Sequence, residues 1–381
     1  MEFSKTINTF TTSVYFPLRV TDTAMLPNIL LLCKLGFIML CLYGFVGKID
    51  DPYIPFLTVF EHFQHIPKVY KVVTQNLFIT AGILLLFNVR VRTMALLLGL
   101  TVILVLLSSK PVFRNHLFIL GCFFFLAGLS DSKHDPWLLY IQFALIYIGA
   151  VINKAPQADW WSGQFMDNWL RYARENQTYI TIASWLPDFM FAKLLSWSSM
   201  CIELTIAVLI LNKSTQRIAV WAILIFHTLL YTLTLHRFGH FYEDIVLGLL
   251  IFLDWPKDKL LVAIDEHRFK GLKKLMVRLN FNTHIIYSSI TPKLDTHWLE
   301  IRTPETVTYN WSGLRTYLKY SSNFYILLFG LDFFTSYTVR LLFNNEIMQF
   351  TQVVITWAGL LFFIPLLCNL LKRKKYEEYT G

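Results

Sequence analysis

Apolar residues in this chain come in long, nearly unbroken runs separated by short polar turns. Neither the alternation of a half-buried strand nor the single apolar stripe of a soluble helix describes most of it. Runs able to cross a bilayer, roughly 17–25 residues long, fall near 26–47, 70–88, 92–108, 113–130, 136–155, 193–212, 217–235, 240–255, 322–343 and 350–371. The pattern therefore predicts an all-α integral membrane protein with about ten transmembrane helices. The third and eighth runs are short, and the ninth contains Asp332 and Arg340.

Two stretches break the pattern. Residues 156–192, rich in tryptophan and polar side chains, are too long for a tight turn, and they read as a surface amphipathic segment with Trp160, Trp161, Trp169 and Trp185 at headgroup depth. Residues 256–320 read as a small basic cytoplasmic segment. Its first part has the spacing of a basic amphipathic helix (Leu260, Leu261, Ile264, then Leu272, Leu275, Met276), and strand-like alternation follows around 284–287 and 298–301. The domain reading is thus a membrane domain over 20–260, the insert at 256–320, and a C-terminal helical membrane pair with a basic tail over 321–381.

Punctuation is sharpest at 147–163, where an apolar run meets Lys154, Pro156 and the pair Trp160-Trp161. Proline biases the preceding residue away from helical geometry, so Pro156 ends the helix near Ala155 and leaves Lys154 on its last turn. Position alone fits a lysine snorkelling to the interface beside an aromatic belt.

Composition agrees with the membrane reading: 381 residues, 55% hydrophobic and 15% charged. The net charge of +9 does not point to nucleic acid, because the basic residues sit in loops and at the C-terminus. The block at 257–278, the tail 372–375, Lys213 with Arg217, and Arg90 with Arg92 fall on one side if both termini are cytoplasmic; Lys110 and Arg114 fall on the other. This places 109–115 and 154–192 outside and fits a bacterial inner membrane. The polar first 25 residues lack an apolar signal core, so the first span is expected to act as an uncleaved anchor. Cys33, Cys41, Cys122, Cys201 and Cys368 all lie in apolar runs without a Cys-x-x-Cys pair, which argues against dithiol chemistry and a cysteine-ligated metal.

Ionisable residues inside spans are functional candidates by default. Glu203 lies centrally in the sixth run and His227 in the seventh. They read either as helix glue, hydrogen-bonded to each other, or with His227 as a proton relay. Asn115 and His116 share the predicted outer face with Lys154. A shielded lysine near a second cation is brought toward neutrality and can serve as a general base. His236, Arg237, His240, Glu243 and Asp244 add polar groups to the same predicted side, or read as a solvated outer turn. The His236-x-x-x-His240 spacing suits zinc, but Gly239 and the loop position oppose a rigid site, so no metal is expected.

The ordered set Asn115-His116, Leu129-Ser130-Asp131 with His134 and Trp137, Lys154…Asp159-Trp160…Gly163, Glu203, Phe226-His227 and Asp254-Trp255-Pro256 resembles the horizontally transferred transmembrane (HTTM) domain. That domain is shared by vitamin K-dependent gamma-glutamyl carboxylase and many bacterial proteins, and the resemblance covers about residues 20–260. It implies Lys154 as the base toward vitamin K hydroquinone and His116 as its partner at the quinone, with Asn115, Asp159, Trp160, Glu203 and His227 supporting. The implied cofactor is a naphthoquinol of the vitamin K or menaquinol type. In that family the activated oxygen adduct takes a proton from a glutamate γ-carbon, which captures carbon dioxide while the quinone becomes an epoxide.

Two departures accompany the resemblance. The Lys154–Trp160 interval is one residue longer than the family's and holds Pro156, and the carboxylase's large lumenal region has no counterpart. Some relatives carry a thiol-oxidoreductase-like appendage; 281–345 has a similar layout but no cysteine, so no redox activity is assigned to it. Three readings remain: a quinol-dependent enzyme modifying a secreted peptide at the outer face, a non-catalytic accessory for maturation or export of such a peptide alongside a co-encoded maturation protein, and a transporter. The absence of an internal repeat puts the transporter last.

Overall fold

The computed structural model describes residues 19–50, 52–234, 241–253, 255, 259–278, 280, 284–288 and 297–320. The chain divides into two compact units, one over Thr23–Phe252 and the other from Leu253 onward together with residues 19–22.

The first unit is helical. Its main helices are α1 (Pro27–Leu42), α2 (Pro67–Leu86), α3 (Val91–Ser108), α4 (Asn115–Leu129), α5 (Trp137–Lys154), α6 (Met190–Leu211), α7 (Gln216–Leu233) and α8 (Phe241–Gly248). Each falls on one of the first eight apolar runs. Five of them, α2, α3, α5, α6 and α7, are long and apolar enough to span a membrane, while α1 and α4 are apolar but shorter. The chain is accordingly a multi-pass membrane protein with five candidate spanning helices among the described residues. The runs at 322–343 and 350–371 and the basic tail lie outside them.

Apolar side chains facing outward support this environment. Ile141, Leu145 and Ile152 on α5, Leu204 and Val208 on α6, and Ile218, Ile225 and Leu229 on α7 are all exposed. Lipid tails supply no hydrophobic force between helices, so packing relies on close approach of small residues. Gly99 on α3 is such a place, since a Cβ there would lie 2.4 Å from the backbone nitrogen of Phe125 on α4.

Polar contacts sort the turns to two ends. Arg92 donates to the carbonyls of Gly128 and Leu129 at 3.3 and 3.0 Å. Lys213 pairs with Asp135 and lies 5.6 Å from the ring centroid of Trp137. At the opposite end the Asn176 amide donates to the carbonyl of Leu233 at 2.7 Å.

Residues 156–192 form a folded cap of short helices. Short helices Ala158–Ser162 and Gln164–Asn168, a π-helical turn Trp169–Ala173 and a helix Gln177–Ala183 enclose a small core of Trp160, Met166, Leu170, Tyr179 and Ala192. Within the cap Trp160 is buried, whereas Trp185 is 74% exposed.

The second unit corrects the all-α expectation. Strands β1 (Leu260–Ile264), β2 (Ile285–Tyr287), β3 (Leu299–Arg302) and β4 (Val307–Tyr309) make one sheet in the order β2-β1-β3-β4. β1 is parallel to β2 and antiparallel to β3, and β3 is antiparallel to β4. Helices α9 (Glu266–Arg278) and α10 (Asn310–Tyr320) complete it. Leu260, Val262, Ile264, Met276, Ile285, Leu299, Ile301 and Tyr317 form its core. The apolar series beginning at Leu260 merges two elements. Leu260, Val262 and Ile264 are buried while Leu261 is exposed, which is strand alternation, and the helix begins only after Asp265. The alternation around 284–287 and 298–301 corresponds to β2 and β3.

Candidate acid–base site

α5 ends where Pro156 demands, with Lys154 its last residue and Ala155 the cap. α6 runs beside it and carries Ser196, Ser199 and Glu203 at spacings of three and four, which puts them on one face. Lys154 Nζ donates to both oxygens of Glu203, at 2.5 and 2.6 Å, and lies 3.5 Å from Ser199 Oγ. The side chains of the pair are 17% and 9% exposed. Two charges drawn out of water in this way are held only because each satisfies the other at short range.

The cap roofs the amine. The Trp160 ring centroid is 4.7 Å from Lys154 Nζ, a cation–π contact, and the same ring stacks on Phe165 at 4.5 Å. Trp161 is oriented differently: its indole N–H donates to the carbonyl of Ala155 at 2.7 Å and pins the cap to the end of α5. The cap turns at Gly163, whose φ of +81° suits glycine and whose Cβ, if present, would lie 2.6 Å from the backbone nitrogen of Lys193. Ser196, one turn nearer the start of α6 than Ser199, is fully buried, and its hydroxyl has no hydrogen-bond partner among the described residues.

Seven residues before Lys154 on the same face of α5, Tyr147 Oη lies 2.9 Å from His227 Nε2. The imidazole packs against Phe241 at 5.6 Å between centroids. The structure therefore joins Lys154 to Glu203 and Tyr147 to His227, where the helix-glue reading had paired Glu203 with His227.

His116 is half-buried on the first turn of α4, beside an exposed Asn115, and the polar partners of Lys154 do not include it. Asp159 is half-buried in the cap helix Ala158–Ser162, where its carbonyl accepts from Ser162 Oγ at 3.2 Å. Tyr147, Ser196 and Ser199 escaped the sequence reading. Their signal was positional: one at helical spacing from Lys154, two at helical spacing from Glu203.

The expectation of a solvated outer turn fails for its described part. Glu243 and Asp244 are buried on α8, and neither oxygen of Asp244 has a hydrogen-bond partner among the described residues. His236, Arg237, His240, Asp254 and Pro256 lie outside those residues. No group of three His, Cys, Asp or Glu able to hold a metal occurs among them.

Within the cap, Asp167 accepts from Arg171 at 3.0 Å and from the Tyr179 hydroxyl at 2.6 Å. Burial pushes the Asp167 carboxyl up, but the Arg171 and Tyr179 hydrogen bonds outweigh it and hold it below its usual range. In the exposed loop after α4, Asp131 accepts from His134 Nδ1 at 2.7 Å and from the backbone N–H groups of Lys133 and His134 at 2.8 Å.

Chemically, the site offers an ammonium, a carboxylate, two serine hydroxyls and an indole face, screened from water by the cap. Residues 132–255 match the HTTM domain. The match takes in Lys154, Asp159, Trp160, Glu203 and His227, while Asn115 and His116 precede it. No curated protein and no solved structure matches the chain.

Proposed function

We propose, from the HTTM match over residues 132–255, that this membrane protein is a quinol-dependent enzyme that modifies a secreted peptide at the outer membrane face, related to the gamma-glutamyl carboxylase type. The observation that carries the reading is the Lys154–Glu203 pair beneath Trp160. A buried ion pair costs desolvation that a hydrophobic pair avoids, so its presence at a capped helix end points to use. The donor set fits a hydroxylated aromatic ring. Lys154 and Ser199 supply donors, Glu203 an acceptor, and the buried Ser196 hydroxyl has no partner among the described residues. Trp160 and Phe165 give stacked aromatic faces.

A bound naphthoquinol would supply the oxygen-dependent oxidising chemistry that side chains lack. The residues around it would do the rest: Lys154 and Glu203 hold and move the proton at its hydroxyl, Ser199 and Ser196 orient it, and the cap excludes water. The Lys/Arg distribution supports a reading with this site on the non-cytoplasmic side and both termini cytoplasmic, in a bacterial inner membrane.

The test is retention of cofactor. Full-length protein purified in mild detergent with native lipid, then extracted, should yield a naphthoquinone in near-stoichiometric amount, and Trp160→Ala should lose most of it. A naphthoquinone-free extract from lipid-retaining wild type would defeat the reading.

A second reading is favoured by one observation. Trp161, Tyr172 and Trp185 on the cap are exposed, which suits a non-catalytic accessory that binds a secreted peptide or a co-encoded maturation protein. Full maturation activity in Lys154→Met with loss in Trp185→Ala would support it.

A further inference from the structure

The arrangement around Lys154 bears on which group moves the proton. Resting on the quinol reading, we infer that Glu203 is the proton acceptor of the site and that Lys154 remains an ammonium, holding the ligand oxygen as negative charge develops on it.

Lys154 is not poised as a free amine. Both Glu203 oxygens lie within 2.6 Å of Nζ, and a base must have a lone pair to offer. To act as one, Lys154 would first have to give a proton to Glu203 and dissolve the pair. The alternative needs no such step. The O–H bond of the ligand hydroxyl breaks, a new O–H bond forms on Glu203, and the electron pair stays on the ligand oxygen. Lys154 keeps its three protons and turns one toward that oxygen. One anion replaces another beside the same cation, so no net charge is created in a low-dielectric site.

Geometry supplies the spare donor for this exchange. Two N–H groups of Lys154 serve Glu203, and the third faces Ser199 at a loose 3.5 Å. Ser196, buried and without a partner among the described residues, continues the same face of α6. A ligand oxygen taking the place of the loose Ser199 contact would meet the ammonium beside the carboxylate it already holds. Such positioned proton transfer contributes about 10²–10⁴-fold to a rate. Tyr147 and His227 are engaged with each other and are left out of the transfer.

Lysine and arginine separate the two schemes, because a guanidinium holds an oxyanion but does not give up its proton. Full-length protein in lipid nanodiscs, with ¹³C-labelled glutamate, is examined by infrared difference spectroscopy against Glu203→Gln, without ligand and with 2-methyl-1,4-naphthohydroquinone. Ligand-free wild type should show the Glu203 carboxylate bands. Adding the naphthohydroquinone should convert them to the carbonyl band of the acid in wild type and in Lys154→Arg.

An acid carbonyl band for Glu203 in ligand-free wild type overturns the inference. So does failure of that band to appear on ligand addition in Lys154→Arg with ligand bound. If Lys154→Arg does not fold, Lys154→Cys alkylated with (2-bromoethyl)trimethylammonium supplies a cation with no proton to give, and the Glu203 acid band must appear there on ligand addition as well. Binding to wild type with an unchanged carboxylate defeats this inference alone, whereas absence of any binding to wild type defeats the quinol reading with it.

Discussion

Tyr147 Oη and His227 Nε2 lie 2.9 Å apart, linking α5 to α7 where both side chains are buried. Hydrogen bonds between membrane helices average about 0.6 kcal/mol and reach roughly 1.7 kcal/mol. Tyr147→Phe should therefore lower stability by about 0.5–2 kcal/mol, and His227→Phe should add little once Tyr147 is already changed. A double-mutant cycle by thermal or SDS unfolding checks this; strictly additive losses would show that the contact carries no energy.

The Lys154–Glu203 pair is a steeper case. Breaking one partner of a buried pair typically costs about 3–5 kcal/mol, because the other charge is stranded, while replacing both by apolar residues is far cheaper. Lys154→Met should be markedly less stable than Lys154→Met/Glu203→Leu. Equal stability of the single and double variants would mean that the carboxylate is already neutral or wet.

The eight apolar runs and the stop at Pro156 were legible because run length and a proline act locally. Lys154, Trp160, Glu203 and His227 were legible because an ionisable or aromatic residue in the wrong medium stands out. Who partners whom was not legible. Pairing Lys154 with Glu203 instead of His116, and His227 with Tyr147, depends on the register of α5 against α6 and α7, and one-dimensional spacing does not carry it. The burial of Trp160 was hidden for the same reason: the cap closes around it through contacts among residues 158–183 and the start of α6. The strand β1 was misread because five apolar residues in a row fit both periods, and the helix that follows lent them its own.

Gly163 holds the cap to α6. Any side chain there must occupy φ of +81° and push against the backbone of Lys193 at 2.6 Å, a cost of order 1–3 kcal/mol. Gly163→Val should lift the helix bearing Trp160 and expose that indole, giving a red-shifted emission that a Trp160→Phe background removes. An unshifted spectrum would show that the cap is held elsewhere.

The second unit has its own core, and Ile301, fully buried opposite Val262, sits at its centre. Ile301→Ala should cost about 2–5 kcal/mol in the unfolding of this unit. Because its core residues all come from 260–317, hydrogen exchange should rise in β1–β4 while α5 and α6 keep their protection.

The cap also has an acid sensitivity whose sign is set by Asp167. Its carboxyl is held below the usual range by Arg171 and Tyr179 against the opposing effect of burial. A depressed folded-state pKa means the unfolded chain binds the proton first, so the contribution is fully present above about pH 4, the ordinary aspartate range, and is lost as pH falls through the lower folded value. Exchange protection of residues 164–183 should thus be flat from pH 7 to pH 5, after correction for intrinsic rates, and fall below that. Asp167→Asn should lower protection at pH 7 and flatten the profile, because the amide keeps a hydrogen-bond acceptor without the charge that Arg171 pairs with. A wild-type profile that stays flat down to pH 3, or an Asn variant with the same acid response, would place the sensitivity on another group.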